Sequence, residues 1–158
     1  MGWTTRDQIF ETSFDLRLPL AQVFDFFADA GNLERITPDK LSFQIVSPQP
    51  IEMRDGALID YRLSLMGVPF TWRTRITRWD PPRQFEDTQL AGPYRKWVHT
   101  HSFSEHDGLT TISDRVVYQL PFWPLGQLGL PFVRRQVRQI FRFREQAIRA
   151  WFQQTEAR

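Results

Sequence analysis

Trp97-Val98-His99-Thr100-His101-Ser102-Phe103, followed across Asp107-Gly108 by Ile112-Ser113-Asp114-Arg115-Val116-Val117-Tyr118, is the stretch whose reading decides the fold. Period-two geometry puts Trp97, His99, His101 and Phe103 on one face of a strand. Asp-Gly is a strong signal for a two-residue hairpin turn. With His106 opposite Leu109, residues whose numbers sum to 215 face each other, so His101 meets Asp114, Phe103 meets Ile112 and Trp97 meets Tyr118. Two imidazoles and a carboxylate then share an aromatic face. Such a face is ordinarily core, and its titratable groups are either satisfied within the sheet or form the polar part of a cavity.

The same alternation extends on both sides. Between Leu41 and Leu120, short alternating runs separated by turn signals predict an antiparallel meander of six strands, at 41–48, 56–66, 69–80, 84–90, 94–105 and 109–119. Phe85, Asp87 and Gln89 alternate on one side and come near His99 and Trp97, and Tyr61 joins from the strand at 56–66. Arg73 and Arg75 alternate with Trp72, Thr74 and Ile76, which places the arginines outside, paired with acids on neighbouring strands. Trp79 is in phase with the arginines, so a bulge before Pro81 or an edge-packing role must account for it.

Upstream, Ile9 to Leu18 alternates and predicts a first strand. Pro19 opens a short amphipathic helix through Leu20, Val23, Phe24 and Phe27 to Ala28, and a further turn or two runs through Leu33 and Ile36 until Thr37-Pro38 ends it. Downstream, an apolar linker from Pro121 to Phe132 leads into a long helix reaching about Phe152. Val133, Val137, Ile140, Phe141, Ile148 and Trp151 form its apolar stripe, with Arg135, Arg138, Arg142 and Arg149 opposite. Arg144 falls within the stripe, where a guanidinium needs a carboxylate or a ligand anion to offset its desolvation.

Composition bounds the rest. The 158 residues suit one domain spanning 1–158, long enough for a sizeable core. Fourteen Phe and 6 Trp favour aromatic walls around a ligand space. The absence of cysteine excludes disulfides, thiolate metal sites and cysteine nucleophiles, and a reducing, cytoplasmic setting is the expectation. Met1 to Arg6 carries neither a signal-peptide run nor a myristoylation motif, and no apolar stretch is long enough to span a membrane. Twenty Lys and Arg against 18 Asp and Glu give a near-neutral balance that does not point to DNA. The charge is concentrated instead, with six arginines and one acid between Arg134 and Arg149.

The polar set Asp87, Gln89, His99, His101, Asp114 and Tyr118 admits several readings. His-x-His beside carboxylates has the makings of a divalent-metal site, and a His-Asp pair those of a general base. The same groups serve equally as a self-satisfied buried network, or as the groups that orient an otherwise apolar ligand. No nucleophile accompanies them.

One strand, two short helices, six strands in meander order and a long C-terminal helix resemble the helix-grip fold of the SRPBCC superfamily, which includes START lipid-transfer domains, Bet v 1-like proteins and polyketide cyclases. Pro19 to Phe27 with Asn32-Leu33 and Thr37-Pro38, Trp79-Asp80-Pro81-Pro82-Arg83-Gln84-Phe85, Trp97-x-His-x-His-x-Phe103 and Asp114-x-Val-x-Tyr118 carry the likeness, which is greatest to the bacterial cyclase/dehydrase-like branch. The resemblance implies an α+β fold in which a seven-stranded antiparallel sheet wraps around the long helix and leaves a cavity between them. It brings Arg144 close to Asp87 and Asp114 as its candidate partners, in a charge-balanced cluster with the histidines that argues against a metal. No cyclase catalytic residue carries over.

The expected function is binding or transport of a hydrophobic small molecule, such as a lipid, quinone or polyketide-like ring. Tyr61, Asp87, Gln89, Trp97, His99, His101, Asp114, Tyr118 and Arg144 are the ligand-binding candidates, with no metal or cofactor called for. A cyclase or dehydratase using His99 or His101 as acid or base is the alternative from another class. A third is a module that contacts a membrane or ribosome through the basic helix. The linker at 121–132 reads as a lid, as a surface for peripheral membrane contact, or as part of the core.

Overall fold

Alternation of apolar side chains builds the sheet that the sequence predicts. In the computed structural model, which describes residues 7–157, the strands are β1 (Gln8–Leu16), β2 (Gln44–Ile45), β3 (Leu58–Leu65), β4 (Val68–Asp80), β5 (Gln84–Ala91), β6 (Lys96–His106) and β7 (Leu109–Gln119). They form one antiparallel sheet in the order β1-β7-β6-β5-β4-β3-β2. Helices α1 (Leu20–Ala28) and α2 (Asn32–Arg35) follow β1, and α3 (Leu130–Glu156) follows β7. This is the α+β helix-grip arrangement. The segment Met1 to Arg6, read above for leader and lipidation signals, lies outside the described residues.

The central hairpin has the expected register, with Trp97 opposite Tyr118, His101 opposite Asp114 and Phe103 opposite Ile112. Asp107 (φ 50°) and Gly108 (φ 75°) both have positive φ, as a type I′ turn requires. Glu105 accepts a hydrogen bond from the Leu20 amide (2.8 Å) and so satisfies an otherwise free donor in the first turn of α1, where proline precedes the helix and no side-chain cap is present.

Three segments differ from the sequence reading. The strand expected at 41–48 shrinks to Gln44–Ile45, because Asp39–Leu41 forms a 3-10 turn and Ser42 takes a left-handed φ of 46°. Pro48 and Pro50 lack the amide a longer ladder would need. The first strand stops at Leu16, although Leu18 stays buried and its carbonyl accepts a hydrogen bond from Thr110 Oγ1 (2.6 Å). Trp79 owes its phase to a bulge. The β4–β5 register shifts between Ile76 and Arg78, leaving Thr77 unopposed, and this turns Trp79 inward against Phe24 (5.4 Å) and Phe85 (5.6 Å).

Along α3, Val137, Phe141, Ile148 and Phe152 are buried, with Val133, Ile140 and Trp151 half-buried. Phe152 therefore extends the stripe, while Trp151 lies at its margin under the Arg35 guanidinium (4.7 Å). Arg149 leaves the expected basic row: it crosses Phe14 (5.1 Å) and bonds Glu145 and the Asp15 carbonyl. Arg73 pairs with Asp60 (2.7 Å) as expected, and Arg75 is exposed.

The linker before α3 is not core. Phe122 and Leu128 are each 83% exposed, and Leu125 is also exposed. Its backbone is nonetheless tightly turned: the Gly126 amide donates to the Phe122 carbonyl (2.7 Å), and any Cβ at Gly126 would collide with the Pro121 carbonyl oxygen. Among the described residues, no helix is long and apolar enough to cross a membrane.

Candidate functional site

Three apolar clusters meet beneath α3. One joins α1 to β5–β7 and the end of α3 through Phe24, Phe27, Phe85, Phe103 and Ile148. A second lies on β3 and β4 around Tyr61, Leu63, Trp72 and Ile76. The third sets Val116 and Tyr118 of β7 against Val137 and Phe141 of α3. Between them remains a cavity of about 170 Å³ whose wall is mostly apolar, with Asp87, His99, His101 and Arg144 among its charged or titratable side chains alongside Tyr61, Tyr94, Thr74 and Asp29. That volume exceeds the roughly 150 Å³ of an apolar protein cavity known to hold benzene, so it has room for a ring-sized group.

Strand register assembles the polar wall. β5 sets Asp87 opposite His99 and Phe85 opposite His101, while β7 sets Asp114 opposite His101. His101 stacks on Phe85 (4.1 Å, 17°), His99 packs on His101 (3.7 Å), and the edge of Phe141 from α3 closes on His99 (5.2 Å). His99 Nε2 lies 2.8 Å from Asp114 Oδ1, and His101 Nε2 lies 3.1 Å from Asp87 Oδ2. The remaining ring nitrogens also face carboxylates: His101 Nδ1 is 3.0 Å from Asp114 Oδ1, off the line of a hydrogen bond, and His99 Nδ1 is 3.7 Å from Asp87 Oδ2. Thr74 Oγ1 donates to the Thr88 carbonyl (3.1 Å) and lies 3.5 Å from Asp87 Oδ1.

The two histidines titrate in opposite directions. Burial, reinforced by the neighbouring His101 charge, pushes His99 below its usual 6.5 despite Asp114. Burial opposes protonation of His101 as well, but the flanking carboxylates of Asp114 and Asp87 outweigh it and raise this group. Burial alone would raise both carboxyls; instead the hydrogen bonds and charge of the imidazoles hold Asp87 and, more strongly, Asp114 below 3.8. Tyr61 is pushed up by burial, with Asp87 adding to the effect, and stays a neutral phenol.

Arg144 departs from the expected ion-paired cluster. It forms no ion pair with Asp87, whose Oδ2 faces the histidines, or with Asp114, whose Oδ1 does, and its guanidinium lies over Phe141 (4.9 Å). Its buried Nε has no hydrogen-bond partner among the described residues. Burial lowers its affinity for the proton, offset by the charges of Asp114 and Asp87.

Of the nine ligand-binding candidates, Tyr61, Asp87, Trp97, His99, His101 and Arg144 line the cavity. Gln89, Asp114 and Tyr118 do not. Gln89 clamps the β5–β6 turn through the Tyr94 carbonyl (2.7 Å) and amide (3.3 Å). Asp114 stands behind the imidazoles, and Tyr118 is buried behind Trp97 and Tyr94. The sequence reading missed the opposite wall, formed by Phe26, Phe27, Leu33, Ile36, Phe43 and Met53. The helical spacing of Phe27, Leu33 and Ile36 was a usable signal, whereas Phe43 and Met53 come from irregular segments with no periodicity to read.

A further possibility is written in the same atoms. Asp87, His99 and His101 each offer a potential metal-ligand atom, all within 4.8 Å of one another.

Comparison with known proteins agrees with this architecture. The sequence profile of the family described as polyketide cyclase / dehydrase and lipid transport matches residues 16–144. Protein Ms6760 from Mycobacterium smegmatis is 19% identical over 93% of this chain and 92% of its own, with a TM-score of 0.68. TTHA0849 from Thermus thermophilus is 15% identical over 90% of this chain and 98% of its own, with a TM-score of 0.70. A START superfamily protein from Mycobacterium smegmatis is 11% identical over 93% and 98% of the two chains, with a TM-score of 0.66. No curated protein matches the sequence. At these identities the solved structures speak for the fold alone.

Proposed function

Because the chain belongs to the polyketide cyclase / dehydrase and lipid transport family of the SRPBCC superfamily, we propose that it binds a hydrophobic small molecule in the cavity, with a polar acceptor group of that molecule on Arg144. Family and fold point to hydrophobic ligand binding or polyketide cyclase-like chemistry. The observation favouring an oriented ligand is Arg144, which lines the largely apolar cavity without an ion pair to Asp87 or Asp114 and whose buried Nε has no hydrogen-bond partner among the described residues. An unmet buried donor costs free energy that a ligand oxygen would recover. His101 and Asp87 supply further polar contacts beside it, and Trp72, Trp97 and Phe27 supply area.

Calorimetric titration with 2-methyl-1,4-naphthoquinone and with 2-methylnaphthalene tests this, since the two differ in their carbonyl acceptors. The quinone is expected to bind at least about tenfold more tightly, the worth of one hydrogen bond from a charged donor at about 1.5–3 kcal/mol, and Arg144→Met to abolish the difference. Equal affinities, or no binding of either, would sink the reading. Native mass spectrometry of the purified protein, expected to find a copurified apolar ligand, is a second check.

A peripheral membrane contact has its own support. The β3–β4 and β5–β6 turns and the β7–α3 linker lie at one end of the sheet, where Met66 (77%), Phe122 and Leu128 (both 83%) are exposed. No acid occurs between Asp114 and Glu145, while Arg135, Arg138 and Arg142 are exposed on α3. Apolar side chains beside a cationic row suit an anionic bilayer surface.

A further inference from the structure

The His-Asp cluster brings three potential metal-ligand atoms close together, Asp87 Oδ2, His99 Nδ1 and His101 Nε2. An ionised carboxylate only accepts hydrogen bonds, so the contact of His99 Nε2 with Asp114 Oδ1 (2.8 Å) puts the imidazole proton on Nε2. When that ring is neutral, Nδ1 carries a lone pair. This lone pair faces Asp87 Oδ2 at 3.7 Å, and the same oxygen is 3.1 Å from His101 Nε2. We propose that Asp87, His99 and His101 form a binding site for a divalent transition-metal ion at the polar end of the cavity, with Asp114 behind both rings and hydrogen-bonded to His99.

Three features of the geometry support this. Ligand atoms sharing one ion at bond lengths of about 2.0–2.1 Å and ordinary bond angles lie about 3–3.7 Å apart, which is the spacing of Asp87 Oδ2 from the two inner nitrogens. Of the outer nitrogens, His99 Nε2 hydrogen-bonds Asp114 Oδ1 at 2.8 Å, the carboxylate-histidine-metal arrangement that fixes ring orientation, and His101 Nδ1 lies 3.0 Å from the same oxygen, off the line of a hydrogen bond. All three ligands line the cavity while Asp114 does not, so coordination positions remain open toward any bound molecule. Two imidazoles and one carboxylate suit zinc, ferrous iron or cobalt in preference to calcium or magnesium.

Arg144 removes the electrostatic objection. With both histidines neutral, Arg144 offsets only one of the two carboxylate charges, which leaves one net negative charge for a cation to meet, and it forms no ion pair with either acid. With the ion bound and both histidines neutral, the two carboxylates, Arg144 and the metal carry one net positive charge, which favours a ligand bearing an anionic oxygen. The metal proposal is independent of apolar-ligand binding, and metal-free protein can still be titrated with the naphthoquinone.

Chelator-treated protein titrated with Co2+ alone, followed by calorimetry and ligand-field absorption, is expected to bind one ion that Zn2+ displaces. Asp114→Asn should weaken Co2+ binding by about 10–100-fold, as loss of an orienting carboxylate does, and Asp87→Asn should abolish it. His106→Gln, at the exposed His106–Asp107 pair (3.2 Å) on the β6–β7 turn, should change nothing. Pulsed EPR of Cu2+-loaded wild type, expected to detect two coordinated imidazoles, needs no variant to fold. The proposal is overturned by no saturable binding to folded wild type, by fewer than two imidazoles on the ion, by unchanged binding in folded Asp87→Asn, or by loss of binding in His106→Gln.

Discussion

His99 and His101 sit two residues apart on β6, share the same two carboxylates, and still respond oppositely to the fold. Burial governs His99, whose folded pKa lies below 6.5, so its contribution to stability is full above that value and is lost as pH falls through the folded pKa. The carboxylates govern His101, whose folded pKa lies above 6.5, so its contribution is full below that value and is lost as pH rises through the folded pKa. His101→Gln is therefore expected to melt at lower temperature as pH falls below 6.5, and His99→Gln to do so as pH rises above 6.5. Thermal melts of both variants between about pH 5 and 8 check this, and slopes of the same sign in the two would contradict it. At this scale much was legible: alternation and the Asp107-Gly108 turn are enough to put the imidazoles and Asp114 together. The missed detail is which oxygen each ring nitrogen meets, because that depends on ring torsions and on β5, whose register the sequence left loose.

Among the elements, β4 shows how one residue re-phases a strand. Trp72, Thr74 and Ile76 point inward by simple alternation, and the unopposed Thr77 lets Trp79 point inward too. Trp79→Ala removes the ring that this bulge turns inward against Phe24 and Phe85. The expected cost is about 3 kcal/mol, the lower end for truncating a buried aromatic because Trp79 is half-buried, read as a lower urea midpoint at unchanged slope. Periodicity disclosed that Trp79 was anomalous and offered a bulge as one cause, but a bulge has no composition of its own to read. The helices were easier, since Val137, Phe141 and Ile148 repeat at helical spacing, while Arg149 defeated the simple two-faced picture by reaching β1.

For the whole molecule, the question is what its apolar, arginine-flanked end meets. Vesicles containing anionic lipid are expected to retain the protein in sedimentation assays, with loss of retention at high salt, in the triple variant Arg135→Glu, Arg138→Glu, Arg142→Glu, and in Phe122→Ser with Leu128→Ser. Binding that ignores both sets of substitutions would refute the membrane reading.

The sequence by itself determined the order of elements, the face of each long strand, the register of the central hairpin and the presence of an arginine within the buried stripe of α3. Each of these follows from local rules: side-chain period, turn chemistry and the conformational limits of proline. Only the tertiary structure decided that a cavity remains between the clusters, that Arg144 stands free of Asp87 and Asp114, and that Gln89 serves a turn. Those outcomes depend on competition among distant groups for the same oxygens and the same space, and periodicity along one chain carries no record of that competition.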